Sequence, residues 1–128
     1  MIDHVGFAAD NAEGSRLFYE AALAPLGVTL LRTVTPEQTE AGGSAHGFGR
    51  DGKAFFWVGD NEAVGEGTHI AFTAAARAEV DSFHAAAIGA GGRDNGAPGL
   101  RPYAPDYYAA FVLDPDGNNI EAVFRGAA

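Results

Sequence analysis

Apolar and polar residues alternate along residues 2–9, with Val5 and Phe7 on one face and His4 and Gly6 on the other. That period of two is the mark of a half-buried strand. Asp10 then reads as a helix N-cap, with Glu13 three positions on completing a capping box. The spacing predicts a helix over residues 12–23 whose apolar stripe is Leu17, Phe18, Ala21 and Ala22, ended by Pro25 and Gly27. A second strand follows over 28–34, a polar connection over 36–43 and a third strand over 44–49. The tetrapeptide Arg50-Asp51-Gly52-Lys53 has the composition of a hairpin turn into a fourth strand, 54–59.

The second half repeats this order. After an acidic, glycine-bearing linker without periodicity come a strand from His69 to Ala74, a helix over roughly 76–90 and glycines that end it. Val80, Phe83, Ala87 and Ile88 are expected to face inward from that helix. Residues 94–105 are rich in Gly and Pro and read as a long loop. Strands over 107–113 and 119–124 flank the turn Asp114-Pro115-Asp116-Gly117. A fixed offset of 65 aligns the halves, pairing His4 with His69, Phe18 with Phe83, Gly27 with Gly92, and Asp51-Gly52 with Asp116-Gly117. The ordered set, with turns and helix ends in register, indicates an internal duplication. Module one is residues 1–60, the linker 61–67 and module two 68–128. Each module is a β-α-β-β-β unit that would leave a sheet face bare alone, so the predicted architecture is α+β, two paired modules forming a curved mixed sheet around a cavity.

Composition narrows the chemistry. With 17 acidic and 8 basic residues the formal net charge is -9, which repels a phosphate backbone, so nucleic acid is not an expected partner. The absence of cysteine removes disulfides, thiolate metal sites and cysteine nucleophiles. No apolar run reaches the roughly 18 to 20 residues that span a bilayer, and no signal peptide is evident. The expectation is a soluble cytoplasmic protein with no membrane contact. Neither a phosphate-binding glycine loop nor a serine nucleophile elbow is present.

Three side chains stand out against the repeat. His4 and His69 begin equivalent strands, and Glu121 lies within the apolar run of the last strand. A carboxylate is expensive to bury there unless paired or metal-bound. Two imidazoles and a carboxylate on adjacent strands would make a facial site for a divalent metal, with positions left open for water or substrate. The alternative is that both histidines are strand-end residues bonded to backbone or water, and that Glu121 faces solvent.

The duplicated order, His4, His69 and the ending Leu113-Asp114-Pro115-Asp116-Gly117-Asn118-Asn119-Ile120-Glu121 resemble the vicinal oxygen chelate superfamily. That superfamily includes glyoxalase I, fosfomycin-resistance proteins, bleomycin-resistance proteins and extradiol dioxygenases. The resemblance implies a homodimer and a small-molecule substrate. In metal-dependent members the ligands fall on positions that His4, His69 and Glu121 occupy here, Glu121 also serving as a base. The implied cofactor is a divalent metal (Mn, Fe, Ni, Co or Zn). Glyoxalase I-like members add a glutamate on the last strand of the first module. The offset of 65 sets Phe56 opposite Glu121, so typical glyoxalase I chemistry is not expected. The implied activity is that of a metal-dependent lyase or dioxygenase; the other reading is a metal-free protein that sequesters a planar ligand, as bleomycin-resistance members do.

Alternation places Gly6, Ala54, Phe56, Val58, Ala71, Asn119 and Val123 on the ligand face, with Tyr107, Ala109 and Phe111 as one possible face of their strand. Phe56, Arg101, Tyr103, Tyr107 and Phe111 are therefore the expected substrate contacts, the middle three in or just after the long loop. Trp57 is expected in the core, and His84 on an exposed helix flank.

Overall fold

The computed structural model of the chain describes residues 2–38 and 42–128; part of the predicted 36–43 connection lies outside the described residues. Module one runs β1 (Val5–Ala8), α1 (Ala12–Leu23), a 3-10 turn (Ala24–Leu26), β2 (Thr29–Val34), a second 3-10 turn (Pro36–Gln38), β3 (Ala45–Arg50) and β4 (Lys53–Gly59). Module two runs β5 (His69–Thr73), α2 (Arg77–Gly89), β6 (Arg93–Leu100), β7 (Tyr107–Leu113) and β8 (Asn119–Arg125). The strands form two four-stranded mixed sheets of the same order, β1-β4-β3-β2 and β5-β8-β7-β6, each with one parallel pair and two antiparallel pairs. The duplicated β-α-β-β-β architecture is thus observed, as two sheets rather than one closed barrel.

One continuous core joins the modules. It runs from Phe18, Tyr19, Phe48 and Phe56 of module one to Phe72, Val80, Phe83, Val112 and Ile120 of module two. Phe56 meets Phe72 edge-on with ring centroids 5.1 Å apart. Burial of such rings is the main apolar contribution to the fold.

Three expectations are corrected. The N-cap of α1 is Asn11, whose side chain accepts from the Gly14 N–H at 2.9 Å, not Asp10. Leu17 and Ile88 lie on the outer flanks of their helices, 54% and 38% exposed, while Tyr19 and Leu23 take the inner stripe of α1. The long loop of 94–105 is largely strand: β6 pairs with β7 through Asp94↔Val112, Gly96↔Phe111 and Gly99↔Ala109. Its two register shifts and Pro98 erase the period-two pattern. An edge strand tolerates both, because one side of its ladder needs no partner.

The turn between β7 and β8 is built on a buried carboxylate. Asp114 is 3% exposed, and its Oδ1 accepts the N–H groups of Asp116 and Asn118 at 2.9 and 2.8 Å. Its Oδ2 accepts the Asn118 amide at 2.8 Å and the Tyr19 hydroxyl of α1 at 2.6 Å. Burial, and then the neighbouring carboxylate, pushes the Tyr19 phenol well above its ordinary pKa, so it stays a donor. Tyr19→Phe is expected to lower unfolding free energy by about 1–3 kcal/mol, because Asp114 loses a buried donor while the ring remains. Urea unfolding measures this; an unchanged midpoint and slope would show that the bond contributes nothing.

Candidate functional site

Module two presents a small cup on the sheet face opposite the main core. Register sets Glu121 beside Ala71 of β5 on one side and Phe111 of β7 on the other. Tyr107, Ala109 and Val123 form a separate small cluster against Phe111 on this face. Alternation explains the split: Ile120 and Ala122 point to the core and Glu121 points away from it, yet Glu121 is only 2% exposed.

The buried carboxylate is held from two sides. The Tyr107 hydroxyl donates a hydrogen bond to Oε2. The Nε2 of His69 lies 3.0 Å from Oε1. Burial, followed by the hydrogen bond to Glu121, raises the Tyr107 phenol to about 12. His69 is oriented from behind, since its Nδ1 lies 2.9 Å from the backbone carbonyl oxygen of Asn119. A carbonyl can only accept, so Nδ1 carries a hydrogen, and Nε2 is the ring nitrogen that faces Oε1. A nitrogen and a carboxylate oxygen 3.0 Å apart attract only with a proton or a metal ion between them. Backbone-oriented imidazole with a carboxylate is also the donor chemistry that divalent metals take.

The surrounding rings and cations form a continuous wall. Phe111 stacks on His69 with centroids 6.1 Å apart and planes 22° from parallel. The Arg101 guanidinium lies 5.4 Å from the Phe111 ring centre and donates to the carbonyls of Ala97 and Gly99 at 2.7 and 3.0 Å. Tyr103, 68% exposed, meets Tyr107 edge-on at 5.3 Å, and Arg125 stands 4.7 Å from the Tyr107 ring centre. Arg101, Tyr103, Tyr107 and Phe111 thus gather around His69 and Glu121. Arg125 and the Asn119 carbonyl were not anticipated; the parallel β5–β8 register that brings Asn119 opposite His69 was the signal.

His4 is elsewhere. It precedes β1, its Nδ1 lies 2.8 Å from Asp3 Oδ1, and it lines a cavity of about 330 Å3 with Gly6, Trp57, Asn61 and Glu62. Among the described residues no group of three His, Asp or Glu side chains is placed to hold one metal ion. A second cavity, of about 910 Å3, lies between the modules against Val5, Phe55, Ile70 and Phe72, and includes none of His4, His69 or Glu121. His46 is 5% exposed with Thr33 Oγ1 3.1 Å from its Nδ1, and takes no part in the cup. His84 is half-buried rather than exposed, 2.9 Å from Asp94.

Phe56 and Trp57 exchange the places expected of them. β1 pairs with β4 through Val5↔Phe56 and Gly6↔Trp57, as β5 pairs with β8 through Ile70↔Ile120 and Ala71↔Glu121. The position equivalent to Glu121 is therefore Trp57. The repeat offset falls from 65 to 64 within β4, where the pairing steps from Phe48↔Phe56 to Gly49↔Ala54 and passes over Phe55. This one-residue bulge turns Phe56 and Val58 into the core, fully buried, and Trp57 onto the opposite face. Phe56 packs against Phe7, Tyr19 and Phe72 rather than lining the cup. Module one still lacks a carboxylate at this position.

Residues 1–122 match the Glyoxalase/Bleomycin resistance protein/Dioxygenase superfamily, and the chain belongs to it. A glyoxalase/bleomycin resistance protein from Albidiferax ferrireducens is 30% identical, with 98% of this chain and 99% of that chain covered and a TM-score of 0.77. Glyoxalase I from Zea mays is similar in fold at 21% identity and a TM-score of 0.73, over 99% of this chain but 45% of that one. A glyoxylase/bleomycin resistance protein/dioxygenase domain from Frankia sp. shares the fold at 15% identity, covering 98% of both chains with a TM-score of 0.72. No curated protein matches the chain. No helix among the described residues is long and apolar enough to cross a membrane.

The phenol of Tyr107 is expected to ionise only near pH 12, so the Glu121 bond persists throughout the neutral range. Its stabilisation is fully present below the ordinary tyrosine value near 10 and is lost as pH rises through about 12. Ultraviolet titration of wild type and Tyr107→Phe measures this: the variant should lack one late phenolate step. A difference step near 10 would contradict the buried bond.

Proposed function

We propose that the chain is a divalent-metal-dependent enzyme acting on a small substrate that offers vicinal oxygens. The supporting observation is the pairing of His69 Nε2 and Glu121 Oε1, 3.0 Å apart, with Nδ1 turned to the Asn119 carbonyl. A bound metal would act as a Lewis acid on the oxygens of the substrate. His69 and Glu121 would hold it from module two. Tyr107 keeps Oε2 occupied, and Oε1 is the oxygen turned to His69 Nε2. Phe111 and Arg101 orient the substrate, and Glu121 accepts a proton from the substrate carbon or hydroxyl beside it.

His4 completes the ligand set from a second copy of the chain. It does not share a cavity with His69 and Glu121, and β1 and β5 are free edges of their sheets, so pairing module one of one copy with module two of another is geometrically open. A homodimer with two such sites follows. The lack of a module-one carboxylate, with Trp57 in its place, favours a three-ligand site over glyoxalase I chemistry.

A second reading, a metal-free protein that sequesters a small molecule, is favoured by the self-contained hydrogen bonding of His69, Glu121 and Tyr107 within one chain. Elemental analysis after purification without chelators separates the two. The enzyme reading predicts stoichiometric divalent metal, lost in His69→Ala and in Glu121→Ala. Tyr107→Phe should weaken metal affinity about 10- to 100-fold, the usual effect of removing a ligand's supporting partner. No uptake by wild type, or full occupancy in both ligand variants, would sink it.

A further inference from the structure

Asn119 is held on three sides, and one restraint comes from the far edge of its sheet. Its N–H donates to the Thr68 carbonyl at 3.0 Å, and its own carbonyl oxygen takes His69 Nδ1 at 2.9 Å. Its side-chain Oδ1 accepts from Asn95 Nδ2 at 3.1 Å, although β7 separates their strands. That reach comes from a bulge in β6. Pairing steps from Asp94↔Val112 to Gly96↔Phe111, so Asn95 is the extra residue, and a bulge re-aims such a side chain. The bulge is fastened on either side of Asn95. Asp94 Oδ1 accepts the Gly96 N–H at 3.0 Å and lies 2.9 Å from His84 Nε2 on α2. Gly96 takes φ +155°, and a Cβ there would lie 3.1 Å from Phe111 Cδ1, which leaves little room for a side chain.

We propose that Asn95 is a positioning residue for His69: through Asn119 it steadies the carbonyl that keeps the hydrogen on Nδ1 and turns Nε2 to Glu121. The parallel β5–β8 ladder begins at His69↔Asn119, so neither residue has a ladder pair before it. The Asn95 bond supplies a restraint at that strand end, and partners behind a ligating imidazole set its orientation. The inference rests on the proposed function only in its metal readout.

The test follows the His69 ring nitrogens of the purified full chain by nitrogen-15 NMR, without metal and at one mildly alkaline pH. Cobalt(II) affinity is measured separately. Wild type should show the hydrogen on Nδ1 alone. Asn95→Ala should share it between the two nitrogens and weaken cobalt(II) about tenfold, the low end for losing a partner behind a ligand. Asn95→Asp should restore both readouts, because the Asn119 amide turns and donates to the carboxylate. Asn119→Ala removes the same bond from the β8 side, so it should match Asn95→Ala, and the double variant should be no worse than either. A ring pattern unchanged in Asn95→Ala, failed rescue by Asn95→Asp, or additive losses in the double variant overturns the role. A fall in urea stability with the ring pattern intact does the same, since it marks a bond that supports only the strand. Wild type that takes up no cobalt(II) counts against the proposed function alone, and the ring pattern then decides the positioning by itself.

Discussion

Asp114 is the constraint on which the site geometry depends. A carboxylate in an interior is tolerable only when its oxygens are filled with donors, and here two backbone N–H groups, one amide and one phenol fill them. The backbone bonds shape the turn that launches β8, and the phenol ties that turn to α1 of the other module. A one-residue slip of β8 would send Glu121 into the core and Ile120 into the cup. The registration of the cup is thus fixed by a bond between the two halves of the duplication. The Asp10 N–H, donated to Asp116 Oδ1 at 3.1 Å, adds a second link between the same turn and module one.

Most of the architecture was legible because the repeat supplies two readings of each element. The equivalence of His4 and His69, both helices and the Asp-Gly turns appear in the sequence at one fixed offset. What escaped was local. The bulge at Phe55 leaves no compositional trace, since three consecutive aromatics, Phe55, Phe56 and Trp57, suit either face of a strand. A constant offset therefore assigned Phe56 a role that the β1–β4 register gives to Trp57. The strand β6 was hidden for a related reason: its glycines, Pro98 and two bulges remove the alternation by which strands are recognised.

The site was legible in its parts but not in its assembly. His69, Glu121, Tyr107, Phe111, Arg101 and Tyr103 lie together in the structure, whereas His4 lies against another cavity. Sequence spacing sets which residues share a strand position. Whether the equivalent strands of two modules face one another is decided by module packing, and here the shared core joins the helix-bearing faces. That arrangement turns the two ligand-bearing faces away from the common core, which is why the proposed three-ligand site draws on a second chain.

Subunit exchange tests that proposal most directly. His4→Ala and Glu121→Ala chains, each purified alone and then mixed under conditions that exchange subunits, are assayed for cobalt(II) uptake by visible absorption. A site shared between copies predicts that neither parent binds well and that the mixture regains binding, because each mixed dimer holds one site with all its ligands. A mixture that forms dimers yet takes up no more metal than its parents would contradict it.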